Sequence, residues 1–325
     1  MLGLLRFILA LAVATSHANF RIAGFIPGVI AVIGFYLISG YVMAGLIRRH
    51  YNQPAKAPAF YLDRALRLLP QYFTYLGLAL AWHLYTNTEN YYLSHAPTAG
   101  DIINNLLIVP LNYYMWNGSE HYTLIPPAWS LGAEIQFYLI APFLLFLPKR
   151  LLIAGVLSLG VYLAALANLI NSDWYGYRLL PGVLWIFLLG AFMEHLHEQK
   201  KYTQTAIVTT IVVILATIAL ATLQHFGTLK HPFNAETLLG LIIGVSLLHT
   251  LATRPRTHWD DRAGDLSYGV FLNHYLLLWA IYPQGVSLPQ LPVFLLTSIA
   301  LAWLTQRHIE QPLLKWRKKI RRPAG

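Results

Sequence analysis

The sequence predicts an all-α polytopic membrane protein of about ten transmembrane helices, with an external, partly helical loop around 88–125. Three observations carry this. Hydrophobic residues make up 57% of the 325 positions and charged residues only 11%, where a soluble domain carries about a quarter charged. The apolar residues fall in long runs that are hydrophobic on all sides, which excludes the in–out alternation of an outer-membrane barrel. The basic residues sit in short loops between these runs and strongly favour one side.

The segments, in order, are 4–20, 24–46, 68–87, 126–147, 151–170, 179–196, 204–223, 236–252, 266–283 and 291–307. With the N-terminus inside, twenty of the 23 Lys and Arg residues are cytoplasmic, and only Arg21, Arg178 and Lys230 lie outside. That asymmetry predicts a multi-pass inner-membrane protein with both termini in the cytoplasm. It also accounts for the net charge of +10 without nucleic acid as a partner. There are no cysteines, so disulfides, thiolate metal sites and a cysteine nucleophile are excluded; no metal is expected.

The first segment carries Arg6 and His17, eleven positions apart. At about 100° per residue both side chains return to nearly the same helix face, separated by a rise of roughly 16 Å. Either residue alone reads as an anchor or as a helix histidine. A polar group at each end of one buried stripe is costly in lipid and marks a pathway or a reaction centre. The run also mimics a signal peptide, with small residues near Ala14 and Ala18. Because it flows almost directly into the second segment, it is expected to be retained.

The third segment opens on Asp63, Arg64 and Arg67. The two arginines are neighbours on one helix face. At a cytoplasmic helix start, capped by Asp63, they would join free amides and the positive dipole end in a phosphate site. The competing reading is ordinary positive-inside anchoring.

The stretch 100–115 holds Asp101, Asn104, Asn105 and Pro110. Its apolar run is too short to span, and a crossing there would invert every later loop, so it is placed outside. The surrounding loop 88–125 carries Tyr91, Tyr92, Tyr113, Tyr114, Trp116 and Tyr122, with Asn112 and Asn117. These suit a sugar acceptor (Asn112 and Trp116 are the candidates) or the aromatic belt of a membrane interface.

The fourth segment contains Glu134, the only one of 13 acids deep in a span. A lone buried carboxylate needs a partner or a proton. One reading is a structural pairing with an Arg or Tyr. The sharper reading has Glu134 orient His17, as carboxylates do behind catalytic imidazoles. In the ninth segment, His274 lies well inside the membrane and either lines the cavity or bonds between helices. The tail 315–325 is basic and suits anionic lipid headgroups.

Six short elements together resemble the acyltransferase-3 family of integral membrane acyltransferases. They are Arg6 with His17, the run FYLISGYVM at 35–43, Arg64 and Arg67 with Pro70, WSLGAEIQFYL at 129–139, SYGVFLNH at 267–274, and Glu310 with Pro312. Phe271 and Asn273 stand where that family usually has tyrosine and tryptophan. The likeness runs in order from residue 6 to about 316, so residues 1–314 are expected to form one acyltransferase domain. The fused soluble esterase-like domain of some members is expected to be absent.

The resemblance implies transfer of an acyl group, acetyl by family default, from cytoplasmic acyl-CoA to a hydroxyl of an extracytoplasmic sugar, lipid-linked sugar or surface polysaccharide. Arg6, Arg64 and Arg67 would hold the acetyl-CoA phosphates. His17 would be the general base, assisted by Glu134, while Tyr36, Ser39, Tyr138 and His274 would line the cavity. A covalent acyl-histidine is the mechanistic runner-up. The competing functions are a transporter or flippase of a lipid-linked sugar, since buried charge also marks transport routes, and a membrane-bound O-acyltransferase of unrelated fold.

Overall fold

The computed structural model describes residues 1–229 and 231–313. The expected tail 315–325 lies outside them. Among the described residues there are twelve α-helices and no sheet. The chain opens with α1 (Leu2–His17), α2 (Pro27–His50) and α3 (Ala57–Thr86). Two short helices, α4 (Ala99–Leu107) and α5 (Tyr114–Asn117), occupy the predicted loop. They are followed by α6 (Ala128–Leu144), α7 (Pro148–Leu166), α8 (Leu180–Glu198), α9 (Tyr202–His225), α10 (Asn234–Ala252), α11 (His258–Ile281) and α12 (Leu291–Thr305). Each of the ten long helices overlaps one of the ten segments read from the sequence, but α3 and α11 begin at Ala57 and His258, ahead of the expected 68 and 266.

Proline opens many of them, including α2, α3, α7, α8 and α12, where its missing N–H costs nothing. Thr98 begins α4 with a capping box to Asp101.

Six helical stretches are long and apolar enough to cross a membrane; they contain α2, α7, α8, α9, α10 and α12. The four long helices outside that set are α1, α3, α6 and α11, which carry Arg6, His17, Arg64, Arg67, Glu134 and His274. Their polarity is the cost of a buried site. In α2, 72% of the membrane-length window is buried, against 17% in α9, so α2 is central and α9 presents its apolar face to lipid.

Two close approaches set the geometry. At the start of α1, the Leu4 amide donates to Asp260 Oδ1 at 2.8 Å, and a Cβ on Gly3 would lie 2.1 Å from the Asp260 carbonyl oxygen. α1 and α11 therefore begin at the same level and run side by side. His17 is 13 residues beyond Leu4 and His274 is 14 beyond Asp260. At 1.5 Å per residue the two rise by about 20 and 21 Å and arrive at one height.

The second approach joins α2 to α8. A Cβ on Gly40 would sit 1.8 Å from the Phe187 carbonyl oxygen, and one on Gly190 would sit 2.0 Å from that of Leu37. Gly40→Ala is expected to force these backbones apart, at a cost of about 1–3 kcal/mol or more. Thermal unfolding of the detergent-purified protein measures this, and an unchanged midpoint would refute the packing argument.

Candidate active site

His17 is the last residue of α1, and the chain turns directly after it, with Asn19 at φ 66°. It is thus a helix-end residue. Its Nδ1 lies 2.9 Å from His274 Nε2, with the rings stacked at 5.0 Å. His274 is fully buried, and its Nδ1 lies 3.0 Å from the Val270 carbonyl oxygen. A carbonyl only accepts, so His274 Nδ1 carries the proton and, in the neutral ring, Nε2 is a lone pair. His17 Nδ1 must then donate to it. The lone pair of His17 is left on Nε2, the nitrogen a general base uses. Tyr275 closes the pair, with its ring 4.9 Å from that of His17.

The hydrogen-bond partner that His17 meets is therefore an imidazole on α11, where the sequence reading expected Glu134. Glu134 Oε1 instead accepts from Ser39 Oγ and from Tyr138 OH, each at 2.5 Å.

Three cavities lie in series. The one at the His17 end, about 410 Å³, is lined by His17, Tyr92, Trp129, Arg178 and Tyr275 among others. It shares Val32, Ser130 and Phe271 with a narrow middle cavity of about 100 Å³, which holds Arg6, Tyr36, Glu134 and Tyr138. Arg6, Arg64 and Arg67 are then common to the middle cavity and to a wide one of about 840 Å³. That third cavity is rimmed by Arg49, Arg254 and Arg256.

The arginine pair differs from expectation. α3 begins at Ala57, so Arg64 and Arg67 stand two or more turns inside a helix with no free amides. Asp63 caps nothing; it pairs with Arg64. Arg67 pairs with Glu310, tying α3 to the turn after α12. Both carboxylates are almost wholly buried, so the two pairs hold helices together as well as facing the cavities. Arg6 makes no ion pair or hydrogen bond among the described residues, although the charge of Glu134 acts on it.

Ser39 and Tyr138 line up on Glu134, and Tyr36 OH donates to the Tyr177 carbonyl at 3.4 Å. Four candidates line none of the three cavities: Ser39 and His274, which are buried behind Glu134 and His17 instead of lining the cavity as expected, and Trp116 and Asn112. Trp116 is 58% exposed and stacks on Tyr113. Asn112 is fully buried, donating to the Arg178 carbonyl at 3.1 Å and accepting from Gln136. Asn273 is likewise structural, joined to Ser298 of α12.

Sequence reading missed Arg178, which it counted only as an outer charge. Arg178 Nε donates to Asp173 Oδ1 at 2.6 Å, and its guanidinium lies 4.4 Å from the centre of the Trp129 ring. Tyr114 OH also bonds Asp173, at 3.1 Å. Burial pushes the Tyr114 phenol above its ordinary range; Arg178 opposes the shift, and the Asp173 and Glu120 carboxylates add to it. The available signal was a lone arginine after Trp174 and Tyr177 on the side where basic residues are scarce. No group of three or more His, Asp or Glu suited to a metal occurs among the described residues.

The family whose model is described as Acyltransferase domain, acyltransferase-3, matches residues 2–307. An uncharacterized protein of Aquifex aeolicus is 37% identical over 207 residues, covering 61% of this chain and 91% of its own. Nodulation protein 10 of Rhizobium leguminosarum bv. viciae is 26% identical, covering 88% of this chain and 82% of its own. Peptidoglycan O-acetyltransferase OatA of Listeria monocytogenes is 24% identical over 96% of this chain. The chain spans only 55% of that protein's length. No solved structure matches.

Proposed function

This chain belongs to the acyltransferase-3 family, and from that membership we propose that it moves an acetyl group from cytoplasmic acetyl-CoA to a sugar hydroxyl outside the inner membrane, with His17 as general base. It is a multi-pass membrane protein and an acyltransferase of the O-acetyltransferase kind. The relatives named as peptidoglycan O-acetyltransferases support a polysaccharide acceptor.

The observation that carries the proposal is the His17–His274 pair at the head of cavities whose linings overlap down to the basic end. In this reading the basic end is cytoplasmic. Acetyl-CoA enters the wide cavity, and Arg6, which has no internal ion-pair partner among the described residues, takes phosphate charge. Arg64 and Arg67 add to the field although each already holds a carboxylate. The pantetheine arm passes Glu134 toward His17, a rise of roughly 16 Å along α1.

The acceptor hydroxyl gives its proton to His17 Nε2 as its oxygen attacks the thioester carbonyl. The new C–O bond forms, the C–S bond breaks, and the departing CoA thiolate takes the proton back from the imidazolium. The His274 lone pair holds the Nδ1–H throughout. Glu134, bonded to Ser39 and Tyr138, balances the charge of Arg6 in the narrow section and acts on the route of the donor. His17 itself is positioned by His274.

Oriented vesicles test this. Labelled acetyl-CoA supplied at the cytoplasmic face is expected to yield alkali-labile acetyl esters on glycan at the opposite face, with free CoA left where it was added. Glycan that crosses the membrane without acquiring an ester would instead establish the flippase.

A further inference from the structure

Arg178 and Glu120 both line the cavity at the His17 end, yet they form no ion pair with each other. Arg178 is held rigidly. Its Nε is bound to Asp173, and four rings surround the guanidinium: Trp129 at 4.4 Å, Tyr177 at 5.1 Å, Tyr114 at 5.2 Å and Phe233 at 5.7 Å. Its terminal nitrogens have no hydrogen-bond partner among the described residues. Stabilising its own turn needs only the Asp173 contact and the rings; a pair of fixed, unused donors facing a cavity goes beyond that.

Glu120 supplies the complement. Its Oε2 is buried and lacks a hydrogen-bond partner among the described residues, while Oε1 lies 3.8 Å from His121 Nε2. The unmet Glu120 oxygen is costly as it stands, and the Arg178 terminal nitrogens are donors that a ligand in the same cavity can reach.

The charge balance selects the ligand. Asp173 already pairs with Arg178, and Glu120 adds to the lining a carboxylate with no Arg or Lys partner among the described residues. A carboxylated or phosphorylated ligand would satisfy Arg178 but be repelled by Glu120. A neutral polyol satisfies both, because each hydroxyl donates and accepts. The volume of about 410 Å³ falls within the range of small-molecule pockets.

We infer that Arg178 and Glu120 form the acceptor subsite for a neutral saccharide, donating to and accepting from the hydroxyls beside the one presented to His17 Nε2. This deepens, and rests on, the acyltransferase reading above.

The test is binding of a neutral probe, chitotetraose, and a carboxylated one, tetragalacturonate, to the full-length protein in nanodiscs. Wild type is expected to bind chitotetraose in preference. Arg178→Gln and Glu120→Gln are each expected to weaken that binding about tenfold without changing acetyl-CoA affinity. Arg178→Lys, which keeps the charge but loses the fork, is expected to weaken it nearly as much.

Glu120→Gln is close to isosteric and gives the decisive sign, even if Arg178→Gln misfolds. A Glu120→Gln protein that gains affinity for tetragalacturonate and keeps full affinity for chitotetraose overturns the inference. So does a wild type that prefers the carboxylated probe or binds neither. Failure of the acyltransferase reading looks different: wild type would bind chitotetraose normally, with both substitutions weakening it, yet release no CoA from acetyl-CoA.

Discussion

His17→Ala is expected to abolish acetyl transfer, by roughly 10²–10⁴-fold, the range that a positioned acid–base residue contributes. The protein should still insert and fold. The residue sits at the end of α1 beside a cavity, so its loss opens space without unpacking a helix. His274 Nε2 loses its donor, and water entering from the cavity can replace it. The measurement is acetyl transfer to envelope glycan per folded protein, with folding scored by a monodisperse elution profile. Substantial transfer by a well-folded His17→Ala protein would remove the imidazole from the mechanism. Retained acetyl-CoA binding in the same variant would show that the donor route is intact.

The second large effect belongs to His274, which acts through His17. His274→Ala removes the acceptor for the His17 Nδ1–H, so the ring is free to place its proton on either nitrogen and to rotate. A loss of kcat on the order of 10²-fold is expected, with the KM for acetyl-CoA little changed. His274→Gln should recover part of the rate, because its Oε1 reaches near the position of the lost Nε2 and accepts the same hydrogen bond. Nitrogen-15 spectra of labelled His17 supply an independent readout. Wild type should show the proton on Nδ1, and His274→Ala a mixture of tautomers. A role confined to packing predicts reduced protein yield, full activity per folded molecule and an unmixed tautomer.

The pairing of these histidines shows where sequence reading stopped. The composition and the ten apolar runs made the helices legible, because hydrophobicity acts one residue at a time. The same logic marked α1, α3, α6 and α11 as unusual, since a charge inside an apolar run is visible without knowing its neighbours. It also drew attention to Arg6, His17 and Glu134, which do face the cavities.

Partnership was not legible. Glu134 and His274 were both deep polar groups at depths compatible with His17, and counting along separate helices could not choose between them. The choice comes from a contact 256 residues apart in sequence, where Leu4 meets Asp260, and from Gly3 letting α1 approach α11. A start at Ala57 for α3 moved Arg64 and Arg67 off the helix terminus and onto buried carboxylates. Glu310 illustrates the same limit. As a motif residue near the end of the chain it had no assigned task until the fold brought it to Arg67.

The sequence by itself determined that the protein is a helical bundle in lipid, which segments are helical, and which carry polar groups that a membrane tolerates only at a cost. Only the tertiary structure decided that His17 leans on His274, that Glu134 belongs with Ser39 and Tyr138, and that Arg178 faces the same cavity as His17. The physical reason is that burial preference is a property of each residue in its segment. A hydrogen bond of 2.9 Å depends instead on the rotation, tilt and starting level of two helices at once, and those are fixed by close packing between residues far apart in the chain.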